Sequence, residues 1–255
     1  MNKYQLSKNV SRIRWSTAFS QSTTITGRFL SWLTPRNCLL CQEFLSQDAC
    51  NRLLCGNCDI QTQYRPSYCQ HCGQSFAGNL DYCGRCLLQA PHYDHCVCPF
   101  DFKLSIQQLI WRFKYQQQPF LAKPLAELFC AELEQNDECL PEAIIAVPCH
   151  AKTLRERGYN QSYLLAKNIA KRLEIPLISG TLSKSRPTEK QAKLKLKQRQ
   201  NNLKGSFEIV KPLQVQHLAI MDDVITSGAT MNEISKILKK NGVDYVQAWG
   251  LAHTP

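Results

Sequence analysis

Fourteen cysteines stand in this 255-residue chain, and eight of them form four C-x-x-C pairs: Cys38 with Cys41, Cys55 with Cys58, Cys69 with Cys72, and Cys83 with Cys86. A two-residue gap turns the backbone tightly enough to aim two sulfurs at one point, and two such knuckles make the four-thiolate tetrahedron that zinc prefers. A single pair also suits redox chemistry, and four thiolates also hold an iron–sulfur cluster, but four pairs within residues 38–86 point first to zinc. Sequential pairing (38/41 with 55/58, 69/72 with 83/86) is the simpler arrangement, although interleaved pairing uses the same residues. Closed four-sulfur sites leave no position for substrate, so the metal is expected to be structural and to supply folding energy to a module too small for its own core. Cys50, His71, His92, His95, Cys96 and Cys98 lie nearby without a complete further set of ligand spacings. They are read as packing or surface residues, with substitution as a ligand left open.

A second constellation is Ile220-Met221-Asp222-Asp223-Val224-Ile225-Thr226-Ser227-Gly228-Ala229-Thr230. It reads as a buried strand ending at Met221, two carboxylates, a small-residue loop and a following helix. Backbone N–H groups and the hydroxyls of Thr226, Ser227 and Thr230 suit a phosphate at the positive end of that helix, with Gly228 allowing close approach. Asp222 and Asp223 would repel the same phosphate, so they need donors of their own, either sugar hydroxyls or Mg2+. A phosphate at one end and a diol with magnesium at the other describe a phosphorylated ribose. A third group, His150, Lys152, Arg155 and Arg157, follows the apolar run Ala143–Val147 and offers cationic donors for a pyrophosphate leaving group. Taken alone it is an ordinary solvated basic loop.

The elements that must position these groups can be read from periodicity. Residues 91–104 form a junction, with Tyr93, Phe100 and Phe102 at strand-like intervals. Leu104, Leu109, Ile110 and Phe113 make one helical face while Arg112 and Lys114 project elsewhere, and Phe120–Glu134 is a second helix. Ala143–Val147 is a buried strand, Gln161–Leu173 an amphipathic helix, and Ser206–Val210 a strand. Met231–Lys240 is a helix capped by Asn241-Gly242, and Asp244–Ala252 a last strand. Strands alternating with helices indicate an α/β domain with a mainly parallel sheet.

Composition narrows the class. With 44% hydrophobic and 20% charged residues the chain buries a real core, and its apolar runs are far too short to span a bilayer. Of the net charge of +11, residues 1–37 carry +6 and residues 184–204 carry +7, leaving −2 for the remainder. Such segments suit polyphosphate, nucleic acid or anionic lipid, or are simply solvated. Residues 1–37 read as a basic tail ending in a short apolar helix near Phe29–Leu33. They lack a compact apolar core with a cleavage site, so a reducing cytoplasm is expected; a transit peptide is the minority reading.

The segment from Ile220 to Thr230 resembles the phosphoribosyl pyrophosphate (PRPP) loop of type I phosphoribosyltransferases. From about Phe29 to the C-terminus the chain resembles, more specifically, the ComF/GntX family. Trp111-Arg112-Phe113-Lys114-Tyr115 is similar to that family's basic-aromatic helix. Pro148-Cys149-His150 with Arg155-Glu156-Arg157-Gly158-Tyr159-Asn160-Gln161 is similar to its signature, and Thr188, Gln191, Leu194, Arg199, Asn202 and Phe207 fit the pattern between signature and loop. The resemblance implies a type I phosphoribosyltransferase fold over residues 91–255, preceded by a double zinc-ribbon module over 38–90 and the tail over 1–37. It implies Mg2+ and PRPP as ligands. Asp222 and Asp223 would hold ribose hydroxyls and magnesium, Val224 and Thr226 to Thr230 (including Ala229) the 5′-phosphate, and Arg155 and Arg157 with His150 and Lys152 the pyrophosphate. The basic stretch 184–204 falls where these transferases carry a hood over the site. The implied reaction transfers phosphoribose to a nitrogen acceptor. Thr226 stands where some relatives place an aspartate base, so the loop itself offers no general base, and His150 or a hood lysine is the substitute. The family's association with DNA uptake and natural transformation adds single-stranded DNA and DNA-uptake proteins as partners. It also supports an alternative: a non-catalytic competence factor that senses PRPP or handles DNA on the same fold.

Overall fold

The apolar runs that read as strands pair in parallel. The computed structural model describes residues 37–45, 54, 55, 57, 58, 68–76, 80–135, 138–185, 203 and 205–254. The helix expected near Phe29–Leu33 and residues 186–202 of the basic stretch, with Thr188, Gln191, Leu194, Arg199 and Asn202, lie outside the described residues. The elements run α1 (Gly84–Leu88), β1 (His95–Val97), β2 (Phe100–Asp101), α2 (Leu104–Tyr115), a 3-10 turn (Pro119–Leu121), α3 (Ala122–Gln135), β3 (Ala143–Ala146) and α4 (Ala151–Arg157). They continue with α5 (Gln161–Leu173), β4 (Leu177–Ile178), β5 (Leu182–Lys184), β6 (Phe207–Ile209), β7 (His217–Ile225), α6 (Ala229–Lys240) and β8 (Tyr245–His253).

The main sheet has the order β1-β8-β7-β3-β4, with β2 also on β8, and every pair in it is parallel. β3 and β7 lie inside, covered on both faces, which is why Ala143–Ala146 and Leu218–Met221 read as unbroken apolar runs. Alternation along β7 still separates two cores. Ala219 and Met221 join Leu109, Phe113, Phe129, Leu165 and Trp249, while Leu218 and Ile220 join Ile234, Leu238 and Val246. α5 begins where the Asn160 side chain accepts from the Tyr163 N–H at 3.3 Å and buries Leu165, Ile169 and Leu173 at helical spacing. β5 and β6 form a separate antiparallel pair. The mainly parallel α/β architecture expected from the sequence is the one observed.

Three local expectations need correction. β7 continues through the acid pair to Ile225, so Asp222 and Asp223 are strand residues, and the loop shrinks to Thr226–Gly228. The junction at 91–104, by contrast, holds two sheet strands, β1 and β2, as its strand-like spacing suggests, and Cys96 in β1 and Cys98 between the strands are buried as packing residues. Residues 151–157, read as loop, form α4, and the helix expected from Phe120 starts only at Ala122 after the 3-10 turn.

Candidate functional site

The two cysteine groups assemble sequentially: Cys38, Cys41, Cys55 and Cys58 in one, Cys69, Cys72, Cys83 and Cys86 in the other, each with all sulfurs within 4.8 Å. Zn–S bonds of about 2.3 Å in a tetrahedron require sulfurs roughly 3.8 Å apart. Cys41 and Cys55 stand 3.6 Å apart and Cys72 and Cys83 3.7 Å. The two leading knuckles repeat one geometry. Cys38 N–H donates to the Glu43 carbonyl while Gln42 N–H donates to the Cys38 carbonyl, and Cys69, Gln74 and Gly73 make the same pair of bonds. The fifth residue of each is left-handed, Gln42 at φ +66° and Gly73 at φ +73°. At Gly73 glycine is required twice over, because a Cβ would sit 2.8 Å from the Cys96 sulfur. Within each group the thiols diverge. Burial opposes ionisation of Cys38, but N–H donors from Cys55, Cys41 and Leu40 outweigh it and bring the thiol down to about 6; half-buried Cys58 is pushed far up, by desolvation first and by the other sulfurs second. Cys83 is likewise brought down to about 7 against burial by the Cys86 N–H, while Cys86 is raised by burial first and Cys72 second. Four thiolates share such a volume only around a cation. Both groups are structural zinc sites.

The acid pair lies at the C-terminal end of β7, where ligands of parallel sheets bind. Asp222 is half-buried. Its Oδ1 accepts from Ser162 Oγ at 2.7 Å and from the Asp223 N–H at 2.9 Å. Burial, then the neighbouring Asp223 charge, push Asp222 up to about 7 against the counter-pull of Lys114 and Ser162. Asp223 is 5% exposed; its Oδ1 accepts from the Val224 N–H at 2.8 Å and its Oδ2 meets Lys114 Nζ at 2.8 Å. Burial works against the Lys114 charge, yet Asp223 more than offsets it and raises the lysine above its ordinary value.

Beyond the pair, Thr226 and Ser227 are half-buried, and Ser227 Oγ is buried without a hydrogen-bond partner among the described residues. Gly228 opens α6 at φ +70°, and a Cβ there would lie 2.6 Å from the Tyr93 hydroxyl. Val224 packs on the first core and Ala229 on the second, while Thr230 is half-buried in the first turn of α6. An orphaned hydroxyl at a left-handed glycine turn opening a 12-residue helix matches what a phosphate needs, and two carboxylates with oxygen donors match what Mg2+ needs.

The basic residues divide. His150 caps α4, its Nδ1 accepting from the Lys152 N–H at 3.2 Å, and Lys152 and Arg155 are exposed. Arg157 turns back into the structure, donating to Gln161 Oε1 at 3.2 Å with its guanidinium 5.2 Å over the Tyr115 ring. Sequence reasoning missed Ser162 altogether and sent Lys114 elsewhere. Lys114 follows Ile110 by four residues, which places it beside the buried face, but nothing local marks its partner. Lys184, at the end of β5, is held below the ordinary lysine value by burial despite the opposing pull of Asp222. Of the basic-aromatic run, Phe113 is core, whereas Trp111 and Tyr115 are exposed with rings 6.2 Å apart.

Comparison with known proteins adds three findings. Residues 29–87 match the double zinc ribbon domain family. The chain is 37% identical over 206 residues to Competence protein F of Haemophilus influenzae, covering 78% of this chain and 90% of that protein. It is 33% identical to DNA utilization protein YhgH of Salmonella typhimurium and 31% identical to that of Escherichia coli K12, each over 224 residues, 86% of this chain and 98% of the relative. Among solved structures, purine phosphoribosyltransferase from Pyrococcus horikoshii superposes with a TM-score of 0.30 at 15% identity, over 56% of this chain and 85% of that one.

Proposed function

Because the chain belongs to the family of Competence protein F and DNA utilization protein YhgH, we propose that it serves DNA uptake and utilization as a PRPP-binding phosphoribosyltransferase-like protein. One observation carries the ligand: a carboxylate pair at a parallel strand's C-terminal end runs directly into a left-handed glycine turn with an unpartnered buried hydroxyl, Ser227. In this reading Asp222 and Asp223 take the ribose hydroxyls and Mg2+, and Thr226, Ser227, Gly228, Ala229 and Thr230 take the 5′-phosphate. Arg155 and Arg157, with His150 and Lys152, receive pyrophosphate. When bound, Mg2+ neutralises charge building on the leaving pyrophosphate. A nitrogen nucleophile forms the new bond to the anomeric carbon as the carbon–oxygen bond to pyrophosphate breaks, and the nucleophile gives up its proton. Thr226 cannot take that proton, and His150 Nδ1 already accepts from the Lys152 N–H, leaving only its other nitrogen for the task. The ribbons occupy 38–90 and the transferase-like domain 91–255. No helix among the described residues is long and apolar enough to cross a membrane. Thiolates kept for zinc need a reducing compartment, and on that ground we place the protein in the cytoplasm.

Calorimetric titration of zinc-loaded protein with PRPP is the test. Binding is expected only with Mg2+ present and is lost in the Asp222→Asn, Asp223→Asn variant. Absence of binding to well-folded wild-type protein would sink the reading.

A second reading has its own support. Trp111 and Tyr115 are 50% and 58% exposed, with Arg157 over the Tyr115 ring, and such a basic-aromatic surface suits stacked bases of single-stranded DNA. Each base lost from the stack costs about 1–3 kcal/mol, so Trp111→Ala with Tyr115→Ala should weaken oligonucleotide affinity at least tenfold while Asp222→Asn leaves it intact. A fluorescence-anisotropy titration at several salt concentrations reads this directly, and affinity indifferent to both aromatic changes rules the surface out.

A further inference from the structure

Lys114 already occupies the cationic place beside the acid pair. Its ammonium lies 2.8 Å from Asp223 Oδ2, the carboxylate oxygen not engaged by the Val224 N–H. Accepting the PRPP reading above as the premise, we infer that Lys114 is a positioning residue that shuts a divalent cation out of the empty site and makes cation binding depend on the simultaneous arrival of PRPP.

The argument starts from where the lysine is anchored. It lies in the last turn of α2, and its neighbours there tie that turn to separate parts of the molecule. Arg112 donates to the Leu39 carbonyl at 2.5 Å and to Gln118 Oε1 at 3.0 Å, the Phe113 carbonyl accepts from the Tyr159 hydroxyl, and Tyr115 lies under Arg157. The backbone of residue 114 is therefore fixed. The side chain is a flexible four-carbon stem, and it is 22% exposed, so the ammonium has a route off the carboxylate while its Cα stays in place.

Charge then sets the order of binding. Beside an ammonium in contact with Asp223, a divalent ion arriving alone meets like charge and one carboxylate already engaged. PRPP brings several negative oxygens on its pyrophosphate and 5′-phosphate. Those oxygens give the ammonium a new partner and the cation further ligands, so the exchange at Asp223 becomes favourable only when both arrive together. A lysine serving purely as a structural counter-ion would alter stability when removed, with no effect on cation affinity in the absence of PRPP.

Manganese is the probe, because free Mn2+ is counted directly by electron paramagnetic resonance. Zinc-loaded wild-type protein is expected to take up no Mn2+ alone at concentrations up to about 1 mM and to take up one ion when PRPP is added. Lys114→Met, which keeps the stem and removes the charge, should bind Mn2+ without PRPP about tenfold or more tighter than wild type, and Lys114→Arg should exclude it as wild type does. Uptake of Mn2+ by wild type alone, lost in Asp222→Asn, overturns the inference and needs no variant at position 114 to fold. Equal silence of well-folded wild type and Lys114→Met towards Mn2+ overturns it as well. If Lys114→Met gains Mn2+ binding while neither protein responds to PRPP, the cation-excluding role stands and the PRPP reading falls.

Discussion

Replacing Cys86 by serine should remove the second zinc ion and lower the urea midpoint of the whole chain, not of the ribbon alone. The expected loss is at least about 3 kcal/mol, or roughly 10 °C in thermal midpoint for a chain of this size. Cys86 is 5% exposed, and its group is packed directly against the sheet. The Cys96 N–H at the start of the sheet donates to the Gln70 carbonyl at 2.6 Å, and Gly73 fits under Cys96 and His253. A few residues earlier, the His92 N–H donates to Asn232 Oδ1 at 2.7 Å, and Tyr93, 3% exposed, stands against Gly228 at the turn that opens α6. Losing the metal leaves thiolates that repel one another or thiols held protonated in a buried pocket, and the disorder reaches β1 and the turn. Zinc content by absorbance assay, read beside urea unfolding, checks this. An unchanged midpoint in zinc-free, soluble protein would show that the ribbon is a passenger.

The first group is tied to the site by another route. Leu39, between Cys38 and Cys41, accepts from Arg112, and Leu39 and Leu40 pack on the main core. Arg112 sits two residues before Lys114, so the knuckle bears on the acid pair through one helical turn. The two ribbons thus support opposite ends of one candidate site: the first behind the carboxylates, the second behind the Thr226–Gly228 turn. A zinc module and an α/β domain that appear sequential along the chain are interlocked in space.

What could be read from the sequence and what could not follow the same distinction. The cysteine groups, α5 and β3 were legible because their determinants are local: a two-residue gap, a 3.6-residue period, an unbroken apolar run. The end of β7 was misplaced because two aspartates look like a strand terminus. They stay in the strand because Ser162 from α5 and Lys114 from α2 supply donors, and no local pattern announces partners so distant in sequence. The junction at 91–104 shows only strand-like spacing in sequence, because the partner that makes β1 and β2 sheet strands is β8 at the far end of the chain. Cys96 and Cys98, which lack a full set of ligand spacings, are buried packing as that reading has them. The small-residue turn after β7 was legible as composition; its unpartnered Ser227 and the Tyr93 behind Gly228 were not.

Asp222→Asn should make the ligand-free protein more stable above neutral pH while destroying Mg2+-dependent PRPP binding. The ordinary value of 3.8 is raised to about 7, by burial first and by the Asp223 charge second. Between about pH 4 and pH 7 the folded state therefore holds a proton that the unfolded chain has released, so stability falls as pH rises through that window and stays low above it. Asparagine keeps the oxygen that accepts from Ser162 Oγ and the Asp223 N–H but carries no charge, which removes both the falling slope and the cost. Because Asp222 is half-buried and partly screened, the gain at pH 8 should be about 1–3 kcal/mol, shrinking towards zero near pH 4–5. Urea unfolding of zinc-loaded wild type and variant at pH 5 and pH 8 measures the difference, and ligand binding is titrated on the same preparations. A variant equally destabilised at both pH values would mean that Asp222 is held for structure. Gained stability beside lost binding would mean that the carboxylate is kept against its folding cost, as expected of a group whose compensating charge arrives with a ligand.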